Sequence, residues 1–301
     1  MTTLSVALAT RNEEKTIGGC LESVKDLASE IEIYDEESTD KTVAKAKKYT
    51  KKIFEVSHDA MFHRTKQLAI DKCSGDWILS IDSDEQVGPD LKVEIQKVIQ
   101  DQGGVAGYQI PRKNQIFGKW LESTGWYPDY QVKLFKRGKG RYPCETVHEQ
   151  IKIDGPLGTL KSDLLHYHYT SVEQFVDRMN RYTSNDANYL FQKGEKVRWT
   201  DAIKLPFDEF LRRYFLWEGY RDGVHGLVLS LLQASNRLIV FAKLWQMQGF
   251  AQGKVDFNEF RMTAQKVGKD FDFWFWTKEI LEEKNVFARQ LKRARRKMTR
   301  I

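Results

Sequence analysis

Apolar residues in the first 110 positions gather in two alternating patterns. Short, mainly apolar runs at 4–9, 31–34, 53–56, 77–81 and 105–110 read as strands. Between them, apolar positions three and four apart predict helices over 17–27, about 40–49, 64–73 and 89–99. Ser38-Thr39-Asp40 heads the second helix and Pro89 lies in the first turn of the fourth, both helix-start signals. This alternation predicts an α/β class domain: a mostly parallel, Rossmann-like sheet with right-handed crossovers and helices on both faces. From Gln115 to about Thr170 the period is lost, as expected of short strands and loops that shape a substrate site. Beyond Ser171 the spacing is helical, over 173–191, 205–217, 227–245 and from Phe257 onward. The expected division is a catalytic domain over 1–170, with halves of about 1–112 and 113–170, and a helical region over 171–301.

Composition narrows the class. With 301 residues, 17 Phe, 12 Tyr and 8 Trp but only 6 Pro, the chain can bury substantial cores and is globular rather than disordered. Three widely spaced cysteines build neither a disulfide framework nor a zinc spacing, which favours a reducing compartment. The first residues lack the basic and apolar regions of a signal peptide. No uncharged run reaches the roughly 20 residues that span a bilayer; the longest, Gly223 to Asn236, has 14. A cytoplasmic protein is therefore expected. The net charge of +6 is unevenly placed, since from Lys284 to Ile301 there are eight Lys or Arg and no acid. Such a tail suits an anionic surface, and peripheral contact with the inner face of the cell membrane is the expected use; a solvated helix end is the plainer alternative.

The densest chemistry lies in the run WILSIDSDE at 77–85. A buried strand ending in Asp82-Ser83-Asp84-Glu85 delivers three carboxylates to the crevice where open α/β sheets bind ligands. Carboxylates at alternate positions can divide the work, one taking a hard divalent cation and the other a substrate hydroxyl. Other strand ends carry Thr10-Arg11-Asn12-Glu13-Glu14 and Asp35, the latter followed by Ser38-Thr39-Asp40. Lys66-Gln67 precede Gly75, and Gly125 to Gln131 (GWYPDYQ) and Val147-His148-Glu149 follow later.

In order, these motifs resemble those of the family-2 inverting glycosyltransferases of GT-A fold: T-x-N-E, V-D-x-x-S-T-D, R-N-x-A about nine residues before a glycine, then D-A-D. Within that family the GWYPDYQ, VHE and RRYFL segments (Gly125–Gln131, Val147–Glu149, Arg212–Leu216) are similar to bacterial enzymes that build lipopolysaccharide core or related surface glycans. The resemblance implies transfer of a hexose from a nucleotide-diphosphate sugar, UDP-linked by preference, to a lipid-linked or lipopolysaccharide-type glycan, with inversion and Mg2+ or Mn2+. It implies donor contacts from Thr10, Arg11, Asn12, Glu13, Asp35, Lys66, Asp82 and Ser83. Asp35 would accept the uracil N3–H, and the Lys66 ammonium would pair with phosphate in place of the family's arginine. Asp84 would bind the metal and Asp129 would serve as general base. His148 would either complete the metal site or hydrogen-bond Glu149 or backbone. Trp126, Tyr127 and Glu149 would face the acceptor or sugar, although buried aromatics more often serve a core.

Two other readings compete. A nucleotidyltransferase shares the sheet and the acidic ligands but needs a glycine-rich phosphate loop, and Thr10 to Lys15 holds no glycine. A protein that merely binds an anionic surface would use the basic tail and leave the ordered aspartates without a role. Binding to nucleic acid is not expected.

Overall fold

The first strand, β1 (Leu4–Thr10), is buried along almost its whole length because it runs through the middle of a sheet covered on both faces. The computed structural model describes residues 2–59, 61–101, 103–144 and 149–298. After β1 come α1 (Ile17–Val24), β2 (Glu30–Asp35), α2 (Thr42–Ala46), β3 (Ile53–Glu55), α3 (Phe62–Lys72), β4 (Trp77–Ser80), β5 (Glu85–Val87) and α4 (Pro89–Gln100). Then follow β6 (Gly107–Ile116), β7 (Lys119–Trp120), β8 (Asp129–Lys136), β9 (Gly140–Arg141), β10 (Lys152–Ile153), β11 (Leu157–Thr159) and β12 (Leu164–Tyr169).

The main sheet runs β3-β2-β1-β4-β8-β6-β12-β5, with β7 and β11 also on β6. Its first four strands are parallel, and β8 then joins β4 antiparallel. Each end is a strand of only three residues, β3 and β5. Side chains alternate between two cores. Leu4, Val6, Leu8 and Leu79 meet Ile17, Leu21 and Val24 of α1 and Leu91 and Ile95 of α4. Ala7, Ile78 and Phe135 pack with Ala69 and Ile70 of α3. The turn into β4 runs tight against β1: a Cβ on Gly75 would sit 2.6 Å from Ser5 Oγ and 2.8 Å from Ser5 N. Beside that turn, Glu30 accepts from Ser5 Oγ (2.5 Å), Ser74 Oγ (2.9 Å) and Lys52 Nζ (2.6 Å).

The chain divides into two compact units, one holding residues up to Trp120 with Tyr127–His168, the other Leu121–Trp126 with Tyr169 onward. The second unit is helical, as the spacing predicts: α5 (Val172–Gln192), α6 (Asp201–Leu211), α7 (Val224–Met247), α8 (Phe257–Glu282) and α9 (Val286–Met298). Ser171 and Asp256 cap α5 and α8 by accepting from Gln174 N and Glu259 N. A π turn over Arg212–Leu216 follows α6. There Arg213 donates to buried Glu209 (2.6 Å) and to the Thr124 carbonyl (3.0 Å), and Arg212 also pairs with Glu209. Buried Asp222 accepts from Ser123 N (3.0 Å) and Ser123 Oγ (2.5 Å), which ties residues 121–126 into this unit. A Cβ on Gly226 would fall 1.7 Å from the Gly219 carbonyl oxygen, so only glycine lets α7 pass there.

Among the described residues α7 is one helix long and apolar enough, by length and composition, to cross a membrane. The longest uncharged run of the sequence ends at Asn236, and the helix continues past it through Arg237 and Lys243. In the structure both cations have protein partners: Arg237 pairs with Glu209, and Lys243 donates to the Asn180 carbonyl and Ser184 Oγ of α5.

Candidate functional site

The ends of β1, β2 and β4 carry the predicted donor residues, and two loops are stitched together to hold them. Asn12 adopts a left-handed backbone (φ 54°), which asparagine tolerates. Its N–H donates to Ser38 Oγ (2.8 Å) and its Oδ1 accepts from Thr39 N (2.8 Å). Glu13 N donates to Thr42 Oγ1, and Glu14 N to Asp40 Oδ2. The T-x-N-E and S-T-D segments are thus one hydrogen-bonded structure. Arg11 is exposed. Ser83 Oγ donates to Thr10 Oγ1 (3.2 Å), joining the ends of β1 and β4.

Asp35 is buried at the end of β2, where Oδ2 accepts from Ser38 N (2.8 Å). Its Oδ1 is buried with no hydrogen-bond partner among the described residues, and Glu36 Oε1 shares that condition. A buried carboxylate oxygen left unpaired costs about 1–3 kcal/mol or more, so its persistence points to a ligand donor. The other oxygen of Glu36 meets His58 Nδ1 at 2.7 Å.

Behind Asp82 and Asp84 lies a chain of buried charges. Lys66, on α3, reaches Asp82 Oδ1 at 2.5 Å. Lys133, on β8, sits 2.9 Å from Asp82 Oδ2 and 2.8 Å from Glu85 Oε2. Arg112, on β6, reaches Glu85 Oε1 (3.2 Å) and Asp129 Oδ2 (2.6 Å). The strand register accounts for the last pair, since Arg112 and Asp129 are direct cross-strand partners of β6 and β8. Burial pushes the Asp82 carboxyl up, but the Lys133 and Lys66 ammonium groups outweigh it and hold it well below the usual carboxylate range. For Lys133, burial favours the neutral amine, yet Asp82 and Glu85 prevail and keep it charged. Burial likewise raises the Asp129 carboxyl, and Arg112, with hydrogen bonds from Gln131 and Asn114, brings it below its ordinary value.

The acidic strand end also meets an imidazole. On β12, His166 is the register partner of Glu85. Its Nε2 lies 3.3 Å from Asp84 Oδ2 and its Nδ1 2.5 Å from Asn114 Oδ1, while its ring stacks on His168 at 4.5 Å. His148 lies outside the described residues, as does Val147. Glu149 is half-buried. Tyr127 donates through its hydroxyl to Asp163 Oδ1 (3.1 Å). Trp126 belongs to the second unit, where the Arg213 guanidinium lies 5.7 Å from its ring centre.

The structure therefore brings Lys66, Asp82, Asp84 and Asp129 into one network and adds Glu85, Arg112, Asn114, Lys133 and His166. The sequence motifs give His166 no role. Lys133 left a usable signal, a lone cation within the apolar run of β8, because lysine is rarely buried unless paired.

The profile of glycosyl transferase family 2 matches residues 5–152. An uncharacterised glycosyltransferase of Rickettsia felis is 30% identical over 261 residues, which are 81% of this chain and 90% of that protein. The chain belongs to glycosyl transferase family 2. A second relative, the lipopolysaccharide core biosynthesis glycosyltransferase LpsC of Rhizobium meliloti, is 28% identical over 249 residues, 81% of this chain and 92% of LpsC. Among solved structures, S. aureus TarS 1–349 in complex with UDP aligns at a TM-score of 0.44 and 16% identity, covering 84% of this chain and 94% of that one. As a family 2 glycosyltransferase, the protein is an enzyme of the α/β class that the alternating pattern predicts, with a helical C-terminal region.

Proposed function

We propose that this glycosyltransferase moves a hexose, with inversion, from a UDP-sugar to a lipopolysaccharide-type or other lipid-linked glycan. The observation that carries the donor reading is Asp35 Oδ1, buried and unpartnered among the described residues beside Thr10 and Ser83. A ring N–H, such as the imide proton of uracil, would satisfy it; cytosine and adenine carry no such ring proton. Lys66 and Lys133 offset the charge of Asp82 and Glu85, which lowers the repulsion an adjacent diphosphate would meet. The acceptor class rests on the likeness to LpsC.

A divalent ion fits Asp84. Its carboxylate lies within 3.3 Å of an imidazole nitrogen, and carboxylate with imidazole suits Mn2+ as well as Mg2+ with water. No three Asp, Glu, His or Cys side chains converge as a metal cage among the described residues, so diphosphate oxygens would supply much of the coordination. Asp84 and His166 would hold the ion, which would stabilise charge on the departing nucleoside diphosphate. Asp129, kept ionised by Arg112, would take the acceptor hydroxyl's proton at a carboxylate oxygen. Asn114 and Gln131 orient that carboxylate.

The deciding experiment is a donor screen with Mn2+ that follows release of the nucleotide: the nucleoside diphosphate from UDP-, GDP- and dTDP-linked sugars, and CMP from CMP-linked ones. Release from UDP-sugars that Asp35→Ala weakens mainly through KM supports the reading. Selective turnover of a GDP- or CMP-sugar would overturn it.

A further inference from the structure

The last helix is mounted the wrong way round for a helix that serves only its own core. Over α9, Phe287, Leu291, Ala294 and Met298 recur at intervals of four, three and four. At 3.6 residues per turn they fall within a stripe about 60° wide. A helix packed on a soluble protein turns such a stripe inward. Here all four are exposed, Phe287 at 84%, Leu291 at 59% and Met298 at 65%.

The opposite face is the one held by the protein. Lys292 pairs with Glu279 (2.8 Å) and Glu283 (2.9 Å) of α8 and its C-cap. Arg289 Nε donates to the Glu283 carbonyl at 2.9 Å, and the Arg296 guanidinium lies 5.5 Å from the Phe273 ring centre. These three cations form a row directly behind the apolar stripe, so their contacts with α8 fix the stripe outward. Arg295, over the Trp276 ring at 5.2 Å, borders the stripe on one side, and exposed Lys297 borders it on the other. Beyond the helix start, Leu281 and Val286 add exposed apolar surface (73% and 62%), and Lys284 adds charge.

We propose that α9 is an interfacial anchor that lays this stripe into the headgroup layer of an anionic bilayer. Charge selects this occupant. A second protein copy would bring its own cationic rims against these, whereas anionic headgroups neutralise Arg295, Lys297, Arg293 and Lys284 while Phe287, Leu291 and Met298 enter the acyl boundary. The inference rests on the packing of α8 and α9 and is independent of the donor sugar.

Co-sedimentation of the full chain with phosphatidylcholine vesicles, with and without phosphatidylglycerol, tests it. Binding is expected on the anionic vesicles and is expected to fall with salt. Phe287→Glu/Leu291→Glu and Arg295→Glu/Lys297→Glu should each lower the partition coefficient roughly tenfold or more, with circular dichroism unchanged. The single tryptophan added by Phe287→Trp should shift its emission to the blue with anionic vesicles. Equal recovery in the supernatant with both vesicle types at low salt would overturn the proposal. So would sedimentation showing a lipid-independent dimer that Phe287→Glu/Leu291→Glu dissociates, which would make the stripe a contact between copies.

Discussion

The two halves of the central sheet contribute opposite things to the same site. Its parallel half, β3-β2-β1-β4, ends in the carboxylates Asp35, Asp82 and Asp84, delivered by buried runs with helices close behind them. The half beyond β4 supplies what makes those carboxylates tenable: Lys133 on β8, Arg112 on β6 and His166 on β12. Carboxylates packed this closely in a protein interior would protonate if left alone. Here two lysines hold Asp82 ionised, and Arg112 spans Glu85 and Asp129. The first half thus presents the carboxylates, and the second sets their charge.

The largest expected effect strikes the second half. Lys133→Met leaves Asp82 and Glu85 buried without their shared cation, and breaking such a pair costs about 3–5 kcal/mol. Chemical denaturation should show that loss, while Lys66→Met should cost less, because Lys66 pairs with Asp82 alone and Lys133 with both Asp82 and Glu85. Equal losses would break the distinction between a cation that supports the fold and one that faces the donor. Next comes Asp84→Ala, which should leave the denaturation midpoint near wild type and lower metal-dependent turnover by roughly a hundred- to a thousandfold. Near wild-type rates in Mg2+ or Mn2+ would remove Asp84 from the reaction. Asp129→Asn should retain donor affinity in calorimetry and lose roughly a hundredfold in transfer; lost donor binding would move Asp129 to the donor pocket.

The smallest effect lies at the opposite end of the strands, in Glu30. Burial opposes its ionised form, but Lys52, Ser5 and Ser74 prevail and bring its carboxyl down to about 2. Because the folded-state value is depressed, its stabilisation is complete above the unfolded value near 4.5 and fades as pH falls toward 2. The difference in midpoint between wild type and Glu30→Gln should therefore be constant near neutrality and shrink between those two values. A difference that grows on acidification would reverse the assignment.

What could be read from the sequence divides along the same line. Short, mainly apolar runs mark β1, β2 and β4, and the acids that end β2 and follow β4 are read directly because local pattern and chemistry coincide. β5 escaped because Glu85-Gln86-Val87 is only three residues long and half polar. The Arg112–Asp129 and His166–Glu85 pairings depend on strand register between segments far apart in sequence. No period along one strand encodes a register with another. The orientation of α9 was equally hidden: its amphipathic spacing and positive charge are plain in the sequence, but which face it turns to the protein depends on Glu279 and Glu283 of the preceding segment.

The shortness of β3 and β5 bears on how the folded chain behaves in crowded solution. A sheet's outermost strands expose amide and carbonyl groups that can recruit a neighbouring molecule into a continuous ribbon. Here each margin offers three residues. One is bordered by Lys51 and Lys52, and at the other α1 packs so closely that a Cβ on Gly19 would fall 2.3 Å from Gln86 Nε2. So few unpaired groups at these two margins make a poor template for such a ribbon.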